Sequence, residues 1–181
     1  LEARNALVLL YLLQGQEVKG REELAAIFAE EPENTEALTT RARMALAQGR
    51  TQDAIADLRT VTRNHAEAVE ARLLLARAHE MEGDNELALD NYRQILALQS
   101  TNLEALIKAA RQEMRFNRPA EAEKLLKTAL AASPDQPQAT GMLVELYAAQ
   151  GRWNEGLDYA AALAAQPELA AYGHYLKGRL L

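Results

Sequence analysis

Glycine returns along this chain at a fixed step. Gly15, Gly49, Gly83 and Gly151 are separated by multiples of 34 residues, and Asn117 occupies the one step between them that lacks glycine. The turn is copied almost whole at its second and fifth occurrences, as ALAQGR over 45–50 and YAAQGR over 147–152. Gly and Asn are the residues that best accept the left-handed backbone conformation closing a helix. A turn residue at a strict long period implies a repeated unit of two helices rather than one irregular domain.

Other positions keep the same period. In blocks 1–34, 35–68, 69–102, 103–136 and 137–170, with a partial block 171–181, position 20 is always small: Gly20, Ala54, Ala88, Ala122 and Gly156. Position 27 is always apolar: Ile27, Val61, Ile95, Ala129 and Leu163. Pro32 and Pro134 close their blocks, and Pro167 falls one residue early. Within a block, two amphipathic patterns flank the turn. Residues 69–82 place Leu75, Ala76 and His79 on one face, and residues 85–98 place Leu87, Ala88, Tyr92, Ile95 and Leu98 on another. Asp84 or Asn85 is suited to cap the second helix, and Pro119 falls in the first turn of its helix, where proline is tolerated. Alanine, about one residue in five, favours helix throughout. Neither helix of a pair can bury its apolar stripe alone, so neighbouring pairs must stack.

A 34-residue helix–turn–helix with these markers resembles the tetratricopeptide repeat (TPR) family over essentially the whole chain. The residues at the family's large–small–aromatic positions are Leu7/Val8/Tyr11, Leu75/Ala76/His79 and Leu143/Val144/Tyr147. Ala66 and Ser100 depart from the closing proline, Asn117 from the glycine, and Arg41 from a position that is normally leucine. Arg41 has two readings, a snorkelling side chain on a locally shifted helix or an internal polar contact. The 35-residue RNA-binding pentatricopeptide repeats and the less regular Sel1-like repeats fit the strict step less well. The resemblance implies an all-α fold, a right-handed α-solenoid of stacked helix–turn–helix TPR units forming a single domain over 1–181.

Composition excludes several functions. With 26 acidic against 20 basic residues the chain carries a net charge of −6, which opposes binding to a nucleic-acid backbone. There is no cysteine, hence no disulfide, thiol nucleophile or cysteine metal site. The longest apolar run, 6–13, is too short to span a bilayer, so no membrane insertion of this segment is expected. His65, His79 and His174 lie in three different blocks and read as packing residues; no metal, cofactor or catalytic constellation is expected. The carboxylates read as solvated helix faces or neighbours one turn apart. The start at Leu1 and the end inside a helical pattern read as an excerpt of a longer chain.

The resemblance also implies where a partner would lie. In TPR proteins positions 2, 5, 9, 12 and 13 of the first helix face a concave groove. Here position 2 supplies Glu2, Glu36, Glu70 and Glu104, then Gln138; position 9 supplies Leu9, Arg43, Arg77 and Arg111, then Glu145 and Arg179; positions 12 and 13 supply Leu12, Leu13, Leu46, Met81, Met114 and Arg115. Positions 2 and 9 are two helical turns apart and share a face. Two readings stand side by side. The Glu and Arg rows neutralise each other between adjacent helices, at about 0–1 kcal/mol per exposed pair. Alternatively the arginines capture carboxylates of an acidic peptide or helix whose apolar anchors rest on the Leu/Met strip. Asn5 and Leu9 depart from the basic residue and Asn used at these positions by chaperone-tail clamps of the family. The apolar first helix (ALVLLYLL, 6–13) packs against a further repeat or offers a patch for self-association. The expected function is a non-enzymatic protein–protein interaction scaffold. The alternatives are a structural spacer or self-association element of a multi-component assembly, and a regulatory arm of an enzyme. The Ala- and Arg-rich character resembles bacterial TPR arrays of export and exopolysaccharide systems, which leans toward the periplasm or cell envelope.

Overall fold

The computed structural model describes residues 1–181. It contains eleven α-helices and no strand: α1 (Glu2–Leu13), α2 (Glu17–Glu30), α3 (Thr35–Ala47), α4 (Thr51–Asn64), α5 (Val69–Glu82), α6 (Asn85–Leu98), α7 (Leu103–Arg115), α8 (Pro119–Ala132), α9 (Pro137–Ala149), α10 (Trp153–Ala164) and α11 (Ala170–Leu180). None is long and apolar enough to cross a membrane.

The periodic turn has one geometry throughout. Gly15, Gly49, Gly83 and Gly151 take φ between +70° and +84°, and Asn117 is the single non-glycine residue with positive φ, at 55°. That left-handed residue lets the N–H of the next residue reach back to the carbonyl five positions earlier. Gln16 bonds to Tyr11, Arg50 to Ala45, Asp84 to His79, Arg118 to Glu113 and Arg152 to Tyr147, all at 2.8–2.9 Å. These bonds satisfy carbonyls that a helix end would otherwise leave open. Helix starts are fixed by other chemistry. The side chains of Asn34 and Asn102 accept the N–H groups of Ala37 and Ala105 at 3.0 Å, and prolines open α8 and α9. Helix α6 begins at Asn85, with the Ala88 N–H bonded to the Asp84 carbonyl.

The chain forms two compact units, Leu1–Asn91 and Tyr92–Leu181, divided within α6. In the first, α1 packs on α2, α3 on α4 and α4 on α5. Val8, Leu24, Ile27 and Ala37 form one core cluster; Leu38, Leu46, Ile55, Leu58, Val61 and Leu75 anchor a second. In the second unit α7 to α11 pack in succession, with Leu106, Leu126, Leu143 and Tyr147 in one cluster and Val144, Leu163 and Leu176 in the next. The small position 20 serves close approach: a Cβ on Gly20 would come within 3.2 Å of Leu12. The expected inner face of α6 is corrected at two residues. Ala88, Tyr92 and Ile95 are buried, but Leu87 and Leu98 are exposed and Leu89 is buried instead. Leu98 lies at the helix end, and Leu87 is one position off the buried stripe.

Candidate partner-binding face

The first helices of the first unit bring several of the expected groove residues together. Leu9, Glu36, Arg43 and Glu70 line one depression of about 490 Å³, with Thr35 and Thr39 beside them. The Thr39 hydroxyl is turned inward, donating to the Thr35 carbonyl at 2.7 Å. Arg43 is ion-paired with Glu70, both side chains exposed, so here the two rows neutralise each other. Arg77 differs. It is exposed on α5 and has no ion-pair partner, and Met81, one turn further along the same face, is 48% exposed.

In the second unit Glu104, Arg111 and Arg115 lie on α7. Glu104 is exposed and Arg111 half-buried, and neither forms an ion pair. Arg115 is exposed. Glu145 on α9 does find a partner, Arg179 on α11, at 2.9 Å. The Tyr172 ring stacks with Tyr175 at 6.1 Å, and its hydroxyl lies so close to Gly141 that a Cβ there would sit 2.3 Å away. This aromatic pair was not anticipated; the signal for it was glycine inside a helix, opposite two tyrosines.

Three residues of the expected apolar strip are corrected. Leu46 is buried at 8% exposure within the core of the first unit. Leu12 is half-buried against Val8, Leu24 and Ile27, and Met114 is half-buried against the Leu106–Tyr147 cluster. The reason is helical geometry. Position 12 lies one turn after position 8, on the core stripe, whereas position 13 is rotated outward. Of the strip's apolar residues, Leu13 and Met81, both at position 13, remain exposed.

Carboxylates are also less uniformly solvated than their helical spacing suggests. Arg41 occupies its leucine-like position by making an internal polar contact, a bidentate pair with Asp57 at 2.8 and 2.7 Å, while its guanidinium lies 4.2 Å from the Phe28 ring centre. Glu113 is 2% exposed and sits between Arg93 at 2.7 Å and Arg118 at 3.4 Å. Glu123 accepts from Arg152, Lys127 and the Tyr147 hydroxyl; hydrogen bonds from Arg152 and Lys127 hold its carboxyl at a pKa of about 2. The available signal was a charged residue at a core position, Arg41 at position 7 and Glu113 at position 11. His79 is buried, which pushes its imidazole pKa down, partly offset by Asp84 at 3.5 Å. His65 and His174 are exposed, and no three His, Asp or Glu side chains cluster as metal ligands would.

Comparison with known proteins agrees with this architecture. Tetratricopeptide repeat family models match residues 39–102 and 113–180. A search of curated proteins returned no match. Among solved structures, a tetratricopeptide repeat protein from Parabacteroides merdae superposes with a TM-score of 0.83 at 19% identity, over 99% of this chain and 71% of that one. MamA superposes with a TM-score of 0.80 at 18% identity, over 95% of this chain and 97% of that one. YrrB, a TPR protein with an unusual peptide-binding site, gives 0.72 at 16% identity, over 87% and 81%. At such identities the likeness shows the fold, an α-solenoid of TPR units. With the family models covering most of its length, the chain belongs to the tetratricopeptide repeat family, whose repeats are protein–protein interaction scaffolds.

Proposed function

We propose that this scaffold holds acidic peptides or helices of a partner protein against the first-helix faces of its repeats, with Arg77 the carboxylate-binding group of the first unit and Arg111 that of the second. One observation carries the reading. Arg43 and Arg179 are occupied by Glu70 and Glu145, whereas Arg77 and Arg111 have no carboxylate of their own. A guanidinium without an internal partner gains most from a bidentate ligand carboxylate, because no existing pair must be broken first. Met81 gives an adaptable apolar contact one turn from Arg77. The peptide-binding site of YrrB, on the same fold, is consistent with this use.

The test is selection of peptides from a random display library, followed by titration of the winners against Arg77→Glu, Arg111→Glu and the double variant. The expected winners are acidic and lose at least tenfold in affinity to the double variant, with thermal unfolding almost unchanged. Winners without acidic residues, or binding that survives both reversals, would sink the arginine reading.

A second reading, self-association, is favoured by one patch. Leu10, Leu13 and Val18 around the end of α1 are 48%, 87% and 71% exposed. Light scattering over a hundredfold concentration range tests it: a mass that stays monomeric removes it, and a rising mass lost in Leu13→Lys supports it.

A further inference from the structure

The two copies of the AQGR turn differ in a way that opens a cavity. Tyr147 and Ala45 hold the same place before the turn, and Arg152 and Arg50 the same place after it. In the second unit the Tyr147 ring is fully buried, with the Arg152 guanidinium 4.2 Å and the Lys127 ammonium 6.0 Å from its centre. Its hydroxyl donates to Glu123 at 3.0 Å. Other interfaces fill the same three places differently. Glu113 lies between Arg93 and Arg118, and His79 lies beside Asp84 and in the field of Arg59.

In the first unit the residue matching Lys127 is Ala25 and the residue matching Tyr147 is Ala45. Two small side chains thus hold the register positions of a ring and an ammonium, Ala25 exposed and Ala45 buried at 1% exposure. The result is a cavity of about 750 Å³ between α2, α3 and α4, walled by Ala25, Ala45, Leu24, Phe28 and Met44. Arg50 stands at its edge, tied to Asp53 at 2.6 Å, with no ring to cover. Arg21, paired with Glu17 at 2.7 Å, stands where Glu123 meets the tyrosine hydroxyl in the other copy, and it too lines the cavity with donors to spare. The floor is more polar than its counterpart, since Arg41 and Asp57 replace Leu143 and Tyr159.

We infer that this cavity is a binding site for a tyrosine side chain of a partner polypeptide, which takes the place that Tyr147 fills in the second unit. The ring would lie under Arg50 as Tyr147 lies under Arg152, and its hydroxyl oxygen would accept from Arg21 rather than donate to a glutamate. The site is separate from the arginine row, because neither Arg43 nor Arg77 lines it. Its existence does not depend on that row binding anything.

The experiment is an NMR titration of the intact chain with p-cresol, with N-acetyl-tyrosinamide, and with isopentanol as a non-aromatic control. Saturable amide shifts at Ala25, Phe28, Ala45 and Arg50 are expected for both phenols, with isopentanol at least threefold weaker. Ala45→Tyr, which supplies the ring from within, should raise the melting temperature and abolish the shifts. Arg50→Ala should weaken p-cresol at least twofold. Ala25→Leu blocks the opposite wall and serves as a second obstruction should Ala45→Tyr fail to fold. Equal binding of isopentanol, binding of p-cresol but not N-acetyl-tyrosinamide, or shifts that persist in a folded blocked variant would each overturn the proposal. The first of these outcomes indicates a general apolar site and the second a small-molecule site.

Discussion

Arg41 grips Asp57 through two parallel hydrogen bonds, Nε to Oδ2 at 2.8 Å and Nη2 to Oδ1 at 2.7 Å, and so a charged residue occupies a position that holds Leu7, Leu75, Ala109 and Leu143 in the other full repeats. The Asp57 side chain is only 11% exposed while that of Arg41 is 45% exposed. The carboxylate therefore depends on its partner more than the guanidinium does. Asp57→Asn is expected to destabilise the chain by about 1–2 kcal/mol, read from urea unfolding. The paired change Arg41→Leu with Asp57→Tyr recreates the Leu143/Tyr159 arrangement and is expected to recover most of that loss. A double variant no better than the sum of the singles would show that the pair does not act as a unit.

Acid should unfold the second unit partly through Glu123. Its folded pKa of about 2 lies below the ordinary value of 4.5, so the unfolded chain binds the proton more readily. The stabilisation is complete above about pH 4.5 and is lost as the pH falls toward 2. Urea midpoints measured down this range should drop steeply for the natural chain. Glu123→Gln should start from a lower midpoint at pH 7 and show a shallower fall. An unchanged slope would remove Glu123 from the account.

His79 titrates in the opposite functional window with the same sign. Burial first, and Arg59 next, hold its pKa below 6.5 against the pull of Asp84. A base with a depressed folded pKa costs stability as the pH falls below 6.5 and through the folded value, since the unfolded chain takes up the proton first. Side-chain NMR should place its midpoint below 6.5. His79→Phe should flatten the dependence of the melting temperature between pH 7 and 5.

The turn residue separates strain from crowding. A Cβ on Gly83 meets nothing within 4 Å, yet its φ is +84°. Gly83→Ala is therefore expected to cost about 1 kcal/mol from backbone conformation alone. Asn117, at φ 55°, already bears that conformation, and Asn117→Gly should gain less than about 1 kcal/mol. Thermal unfolding of both variants checks the contrast; a neutral Gly83→Ala would contradict it.

Much of the fold was legible in the residues. The 34-step glycine and asparagine announced the turns, because few residues tolerate a left-handed backbone. The apolar spacing announced helix pairs, and the small position 20 announced their contact. Position 12 falls short of the expected groove at Leu12, Leu46 and Met114, because on each of these helices it lies on the side that meets the core. Glu113 and Asp57 are buried although buried and surface carboxylates share one helical spacing; only the neighbouring helices distinguish them.

Local backbone preference and hydrophobic period act within a few residues, so the sequence by itself determined the helices, their turns and membership of the TPR family. What it did not determine was which charges meet. Arg43 and Arg77 hold the same place in successive repeats, yet one is ion-paired with Glu70 and the other has no partner. Pairing depends on side-chain reach and on the relative rise and rotation of neighbouring helices, which periodicity along one strand of sequence does not record. The same holds for the cavity beside AQGR. Ala25 and Ala45 are each unremarkable alone, and only the packing of α2 against α3 sets them across one space.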